Sequence, residues 1–327
     1  MARSIAHRKL GGLSVPVVGL GCMGLSGVYG PAEDAASEDL VRRAIDMGVT
    51  HLDSSDMYGW GHNEELLGRA LKGRREKVVL ATKFGQTQRP GGQNGVDGSP
   101  AHVMAACEAS LKRLGVDVID LYYQHRVDPT VPVEDTVGAM KRLVEQGKVR
   151  FLGLSEAAPD RIRRAHAVHP IAAVQTEYSL LYRAEAEATR QVTRELGIGF
   201  VAYSPLGRGF LTGAIQTLAD VDGRRAAHPR FQEANFAQNR ALVAKIEGFA
   251  AEKGCTPAQL TLAWLFAQGD DVTAIPGTRY PARLEENLGA LDVVLTAEDV
   301  ARISAAVPTG AAAGTRYPAG GMAGVFI

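Results

Sequence analysis

The 327-residue sequence predicts a closed (β/α)8 barrel, and three observations lead there. Short β-branched runs recur eight times, each followed by a longer amphipathic stretch of helical period, as in parallel strands joined by crossover helices. Glycines mark joints between a helix and the next strand, at Gly48, Gly115, Gly147 and Gly197, where a helix C-terminus favours a left-handed residue. Two long insertions both follow strand ends, the face on which barrels carry their sites. An open doubly wound sheet is the competing arrangement of the same alternation.

Strands are expected at residues 17–21, 50–53, 78–83, 118–124, 151–154, 173–175, 199–203 and 272–276. Helix starts are marked by Ser99 before Pro100, by Thr256 with Gln259 three residues on, and by Thr296 with Asp299 in the same relation. The first insertion, residues 85–100, is rich in glycine and polar residues, and the second, 207–239, is far longer than an ordinary strand-to-helix loop. Residues 308–327, rich in Gly and Ala, read either as a frayed terminus or as a flap over the barrel mouth. The pentapeptide Gly-Thr-Arg-Tyr-Pro occurs at 277–281 and at 314–318 with no flanking match, and is treated as coincidence. Eight units and two insertions account for residues 1–327 as a single barrel domain.

The 36 Lys plus Arg balance 36 Asp plus Glu, which argues against a surface built to coat nucleic acid or an anionic membrane. Neither partner is expected. The three cysteines are far apart and form no C-x-x-C pair, so a reducing compartment is the default. No stretch approaches the ~18 apolar residues of a membrane span, and a cytoplasmic location is expected.

The run from Gly19 to Gly24 fits G-x-G-x-x-G, the dinucleotide fingerprint, and it follows a strand. Its context fails, because Gly27, Gly30 and Pro31 interrupt the helix that must begin there. These glycines are expected instead to end the first strand abruptly at a barrel mouth.

Ionisable residues gather at three consecutive strand ends: Asp53 ends the second, Lys83 the third and His125 the fourth, with Tyr58 on the loop after Asp53. Each alone has a structural explanation, yet in a barrel these four converge on one mouth. Together they suit proton transfer to a carbonyl oxygen. A tyrosine hydroxyl ionises at about pH 10, so its use as an acid near neutrality requires cations or donors that stabilise the phenolate. Lys83 supplies charge, Asp53 fixes the ammonium, and His125 donates a hydrogen bond to the substrate oxygen. No metal is called for, because residues 62–65 lack H-E-x-x-H spacing.

A second cluster follows the eighth strand, where Arg279 and Arg283 lie about one helical turn apart at a helix start. Such a pair suits a 2′-phosphate and so NADP over NAD. The alternative is a surface helix on which Arg283 pairs with Glu286 and Arg279 is solvated.

These residues, with Gly19–Met23, Leu52–Gly59, Ala81–Lys83, Gly153–Ser155, Gln175, Tyr203–Gly207 and Ile275–Asn287 in full, resemble the aldo-keto reductases from Lys9 through Asn287. The run Tyr-Gln-His-Arg-Val-Asp at 123–128 is similar to a bacterial and plant branch of broad-specificity, NADPH-dependent members. The resemblance implies a barrel whose bottom is plugged by a hairpin near residues 8–16, with Tyr58 as proton donor supported by Lys83, Asp53 and His125. It implies NADPH/NADP+ as cofactor, with Tyr203 stacked on the nicotinamide and Ser155 and Gln175 near the carboxamide. Ser204, Leu206 and Arg208 would follow the pyrophosphate, Thr278, Arg279 and Arg283 the 2′-phosphate, and Glu286 and Asn287 the adenine. The same matching stretches bring Gly21, Cys22, Met23, Pro205, Gly207, Ile275 and Gly277 along the cofactor. Tyr29, Trp60 and Arg126 are expected at the substrate pocket. Many family members have Asn where this chain has Glu156, and a carboxylate cannot donate to the carboxamide oxygen.

The expected activity is reduction of small aldehydes or ketones with NADPH. The rival reading is a cofactor-loaded regulatory subunit similar to the potassium-channel β subunits, with little or no turnover.

Overall fold

A computed structural model describes residues 5–88, 94–322 and 324–327. Strands β1 (His7–Leu10) and β2 (Leu13–Pro16) form an antiparallel hairpin. The barrel strands are β3 (Leu20–Gly21), β4 (His51–Asp53), β5 (Val79–Phe84), β8 (Ile119–Gln124), β9 (Val149–Ser155), β10 (Ile171–Glu177), β11 (Gly199–Tyr203) and β12 (Val272–Ala274). Between β5 and β8, the short strands β6 (Gln86–Gln88) and β7 (Asn94–Val96) pair antiparallel. The eight barrel strands are all parallel and hydrogen-bond in the order of the chain. The last meets the first: Gly19 N–H donates to Ala274 O at 2.8 Å and Ala274 N–H to Val17 O at 3.0 Å, closing the barrel. The open-sheet alternative is therefore excluded.

Both faces of these strands are covered, which is why β8 and β10 are buried along their whole length. The helices are α1 (Asp34–Asp46), α2 (His62–Ala70), α3 (Pro100–Leu114), α4 (Val133–Glu145), α5 (Pro159–Val168), α6 (Ala184–Glu195), α7 (Glu233–Glu252), α8 (Pro257–Phe266), α9 (Pro281–Gly289), α10 (Ala297–Ala306) and, as a single turn in the tail, α11 (Ala319–Met322). In α4 the buried residues Val133, Thr136, Val137, Met140 and Leu143 recur at helical spacing and form one stripe toward the sheet. Ser99 caps α3 by accepting from His102 N–H, and Thr256 with Gln259 and Thr296 with Asp299 form reciprocal capping boxes on α8 and α10. Gly115 closes α3 at φ +64°, as its place at the helix–strand joint predicts.

Three differences from the sequence reading have local causes. Residues 17–19 contribute only bridging bonds to β12, so the first barrel strand is shorter than expected. The second insertion ends at residue 232, where α7 begins, and residues 207–231 fold into four short 3-10 turns. The first insertion contains the β6–β7 hairpin, and its residues 89–93 lie outside the described residues. No helix among the described residues is long and apolar enough to cross a membrane.

Candidate active site

The ends of successive strands do converge. Ser54 N–H donates to Ala81 O, Asp56 N–H to Lys83 O and His125 N–H to Phe84 O, carrying the ladder past the strand ends and holding their side chains in register. Lys83 is buried, with its Nζ donating to the Asp53 carboxylate, to Ser54 O at 2.8 Å and to Tyr58 Oη at 3.4 Å. The other Asp53 oxygen accepts from Gln175 Nε2 at 2.8 Å. His125 meets Tyr58 edge-on, with ring centroids 5.9 Å apart, and its Nδ1 lies 3.0 Å from Ser55 Oγ. The four residues singled out in the sequence thus form one contact cluster.

Charge in that cluster is governed by burial and by Lys83. Burial pushes the Tyr58 hydroxyl above its ordinary value, and the Lys83 ammonium pulls against that rise. For Lys83, burial opposes the charge, but Asp53 and Tyr58 outweigh it and the ammonium is held more firmly than usual. His125 is driven well below the ordinary histidine range, first by burial and then by the positive charges of Arg126 and Lys83. At neutral pH the site therefore holds a protonated tyrosine, a charged lysine and a neutral histidine.

A cavity of about 1030 Å³ opens over this cluster. Its wall includes Asp53, Tyr58, His125, Ser155, Gln175 and Tyr203 at one end, and Thr278, Arg279, Arg283, Glu286 and Asn287 at the other. Gly21, Met23, Ser204, Pro205, Leu206, Arg208, Ile275 and Gly277 line the stretch between. Cys22 and Gly207 are buried behind that lining. Tyr29 and Arg126 also face the cavity, whereas Trp60 is 46% exposed and stands outside its lining. Glycines 19–24 lead into a short 3-10 turn, Cys22–Ser26, rather than an α-helix. Arg283 donates to Glu286 at 2.6 Å, and Arg279 donates to Pro31 O and to Tyr280 Oη, each at 3.0 Å.

Sequence reasoning offered the tail as a flap but named none of the residues that fasten it over the mouth. The tail returns across the barrel top: Tyr317 Oη lies 2.9 Å from Tyr203 Oη, and Ala158 N–H donates to the Ile327 carbonyl at 3.0 Å. Arg316 is fully buried and engages both oxygens of Glu156, at 2.9 and 2.5 Å. Glu156 also accepts from Glu177 N–H at 3.0 Å, and Glu177 in turn binds Arg208 and Arg230. Although burial opposes its ionisation, these guanidiniums hold the Glu177 carboxyl down at about 2. Glu156, the departure noted in the sequence, is thus occupied by the tail. Of the two readings of residues 308–327, the structure takes the flap; residue 323 lies outside the described residues. Among the described residues no group of three His, Cys, Asp or Glu is placed to hold a metal.

The comparisons agree with this geometry. A model described as the Aldo/keto reductase family matches residues 17–308. Probable aldo-keto reductase 1 of Glycine max is 50% identical, over 94% of this chain and 91% of that protein. An aldo-keto reductase of Schizosaccharomyces pombe named yakc, NADP(+), is 47% identical, over 99% of this chain and 98% of its own. Among solved structures, the glycerol dehydrogenase of Gluconobacter oxydans has a TM-score of 0.83 at 28% identity, covering 92% of this chain and 95% of that one. With the barrel, the site and a family match spanning most of its length, the chain belongs to the aldo/keto reductase family.

Proposed function

We propose that this chain, acting as one barrel unit in the cytoplasm, reduces small aldehydes or ketones to alcohols, with NADPH as hydride donor and Tyr58 as general acid. The observation that carries the reading is the buried relay Asp53–Lys83–Tyr58, opening with His125 onto a cavity of about 1030 Å³ that also reaches Arg279 and Arg283. The residues present fit that cofactor. Tyr203 offers an aromatic face near Ser155 and Gln175, while at the far end Arg279 and Arg283 flank the start of α9, a donor set suited to a phosphate. The Schizosaccharomyces pombe relative carries NADP(+) in its name. Arg283 would exchange part of its bond to Glu286 for the phosphate.

When bound, NADPH supplies the hydride that a carbonyl carbon accepts. The Tyr58 Oη–H gives its proton to the carbonyl oxygen as negative charge develops there. The phenolate left behind faces the Lys83 ammonium, which Asp53 and Ser54 O keep within hydrogen-bonding reach. In the tautomer in which Nδ1 accepts from Ser55 Oγ, 3.0 Å away, neutral His125 carries its proton on Nε2 and donates it as a hydrogen bond to the same oxygen. The tail over the mouth limits water at that point.

The test is NADPH consumption with a panel of aldehydes and ketones, repeated with Tyr58→Phe. The substitution is expected to lower kcat by ~10²–10⁴-fold while leaving NADPH affinity, read by fluorescence titration, nearly unchanged. Unaltered turnover removes Tyr58 from the role of acid. Tight NADPH binding without turnover on any carbonyl is what the regulatory-subunit reading expects.

A further inference from the structure

Arg126 is a cation at the reacting end of the cavity with no carboxylate of its own among the described residues: the negative charge that bears on it is Glu156, which Arg316 already engages. Its Nη1 donates to His125 O at 2.7 Å and to Ser155 Oγ at 3.2 Å, both uncharged acceptors. Among the described residues no carboxylate stands within ion-pair distance of it, and Nε and Nη2 have no protein acceptor yet are not sealed from the cavity. The two Nη1 bonds tie the tip of the arm, and its Cγ and Cδ run beside Gly324 of the tail. Its unused edge is therefore a fixed two-donor fork, the geometry that recognises a carboxylate or phosphate side-on.

Nearby carboxylates are committed elsewhere. Glu156 is engaged by Arg316, Glu177 by Arg208 and Arg230, and Asp53 by Lys83. That leaves three guanidiniums against two carboxylates on the rim, with Arg126 added. A partly buried guanidinium normally has a charged partner, because an unpaired charge away from water is costly. Glu156 favours the Arg126 charge from beyond ion-pair distance, which leaves the direct contact to a group entering the cavity. Arg126 adjoins His125 in the chain and its charge is felt at both His125 and Tyr58, so an anion held there lies close to the reacting carbonyl.

We propose that Arg126 is a substrate anchor and that the favoured substrates are carbonyl compounds carrying a carboxylate or phosphate a few bonds from the carbonyl. This deepens the proposed reduction and rests on it. In the alternative, Arg126 only braces the His125 carbonyl and Ser155. Bracing would act equally on charged and neutral substrates.

The experiment measures kcat/KM for matched pairs in the wild-type chain, Arg126→Met and Arg126→Lys: 4-carboxybenzaldehyde against its methyl ester, and glyceraldehyde 3-phosphate against glyceraldehyde. The readout is the ratio of anionic to neutral substrate within each protein, so a general loss of rate does not enter. The wild-type ratio is expected to favour the anion in at least one pair, and Arg126→Met to lower that ratio by roughly 10- to 100-fold, chiefly through KM. Arg126→Lys should retain part of it, and the pair showing the effect names the anion. A wild-type preference for both neutral partners, or equal ratios in wild type and Arg126→Met, overturns the anchor. If no carbonyl is reduced, the proposed reduction fails separately. The anchor is then judged by calorimetric binding of benzoate and of inorganic phosphate to NADP+-saturated protein. A tenfold or greater loss of either in Arg126→Met supports it, by the same arithmetic of about one charge-assisted bond, and equal affinity or no binding overturns it.

Discussion

Tyr58 is a weak acid made weaker by its surroundings, and its usefulness lies in the partner that receives its charge. Burial raises the hydroxyl above its ordinary value of 10.0, while Lys83 lowers it by a smaller amount. The acid form is therefore complete at neutral pH, and the cost of ionising it falls during reaction, when proton loss restores a charge opposite the ammonium. The sign of the pH dependence follows. The proposed reduction needs the protonated hydroxyl, so kcat/KM is expected to hold level through neutrality and to fall only as pH rises past about 10. A pH profile of kcat/KM checks this, because that parameter reports groups of the free enzyme. A falling limb centred near pH 7 would place the essential proton elsewhere. His125 gives no competing limb in that range, since burial, Arg126 and Lys83 keep it neutral well below its usual transition. The placement of these four residues was legible in the sequence, because each sits at a strand end and a barrel brings successive strand ends together. The net direction of the Tyr58 shift was not, since depth of burial is a property of the packed molecule.

Among the elements, the tail behaves as a strap fastened chiefly at the buried Arg316. Glu156 follows β9 directly and takes φ +57°, a left-handed conformation that costs a non-glycine residue roughly 1–2 kcal/mol. That turn lets its carboxylate meet Arg316, whose guanidinium also covers the Tyr182 ring with its centre 4.1 Å from the centroid. His228 Nδ1 lies 2.8 Å from Arg316 O, and Asn239 binds both Ala313 N and Ala313 O, so the strap also rests on residues near the start of α7. Removing one member of a buried ion pair costs about 3–5 kcal/mol when the other charge is left without compensation; here the buried Glu177 carboxylate, 3.9 Å from Arg316 Nη1, keeps part of it, and a somewhat smaller loss is expected. Glu156→Gln is accordingly expected to free the strap, and tryptic cleavage between Arg316 and Tyr317, identified by mass spectrometry, should accelerate by ~100-fold. Equal cleavage rates in the two proteins would show that the tail is held by its other contacts. The fastening was hidden from sequence reasoning. Caps such as Ser99 with His102 or Thr256 with Gln259 span three residues and announce themselves, whereas Glu156 and Arg316 are 160 residues apart and sit in stretches with no periodic signal.

At the scale of the whole molecule, the proposed chemistry and the packed plug occupy opposite ends of the barrel. The top carries Tyr58, Arg126 and the strap, whereas the β1–β2 hairpin fills the bottom with Leu10, Leu13 and Val15 against Leu121, Tyr123, Ala173 and Val201. The approach there is close enough to require glycine, since a Cβ at Gly199 would fall 2.4 Å from Leu10 Cδ2 and 2.7 Å from Lys9 O. Arg8 pins the hairpin from outside by donating to the carbonyls of Phe266, Gly269 and Val272, around the start of β12. A cavity made at this plug removes packing that no neighbouring side chain can refill, because the backbone of β11 already touches it. Leu10→Ala is therefore expected to destabilise the protein by about 2–5 kcal/mol, seen as a lower urea midpoint. The same variant should retain the wild-type kcat/KM and NADPH affinity, since Leu10 lies outside the cavity lining. A parallel loss of stability and catalytic efficiency would mean that strain at the bottom reaches the strand ends at the top, and that the two faces are not separable as this geometry requires.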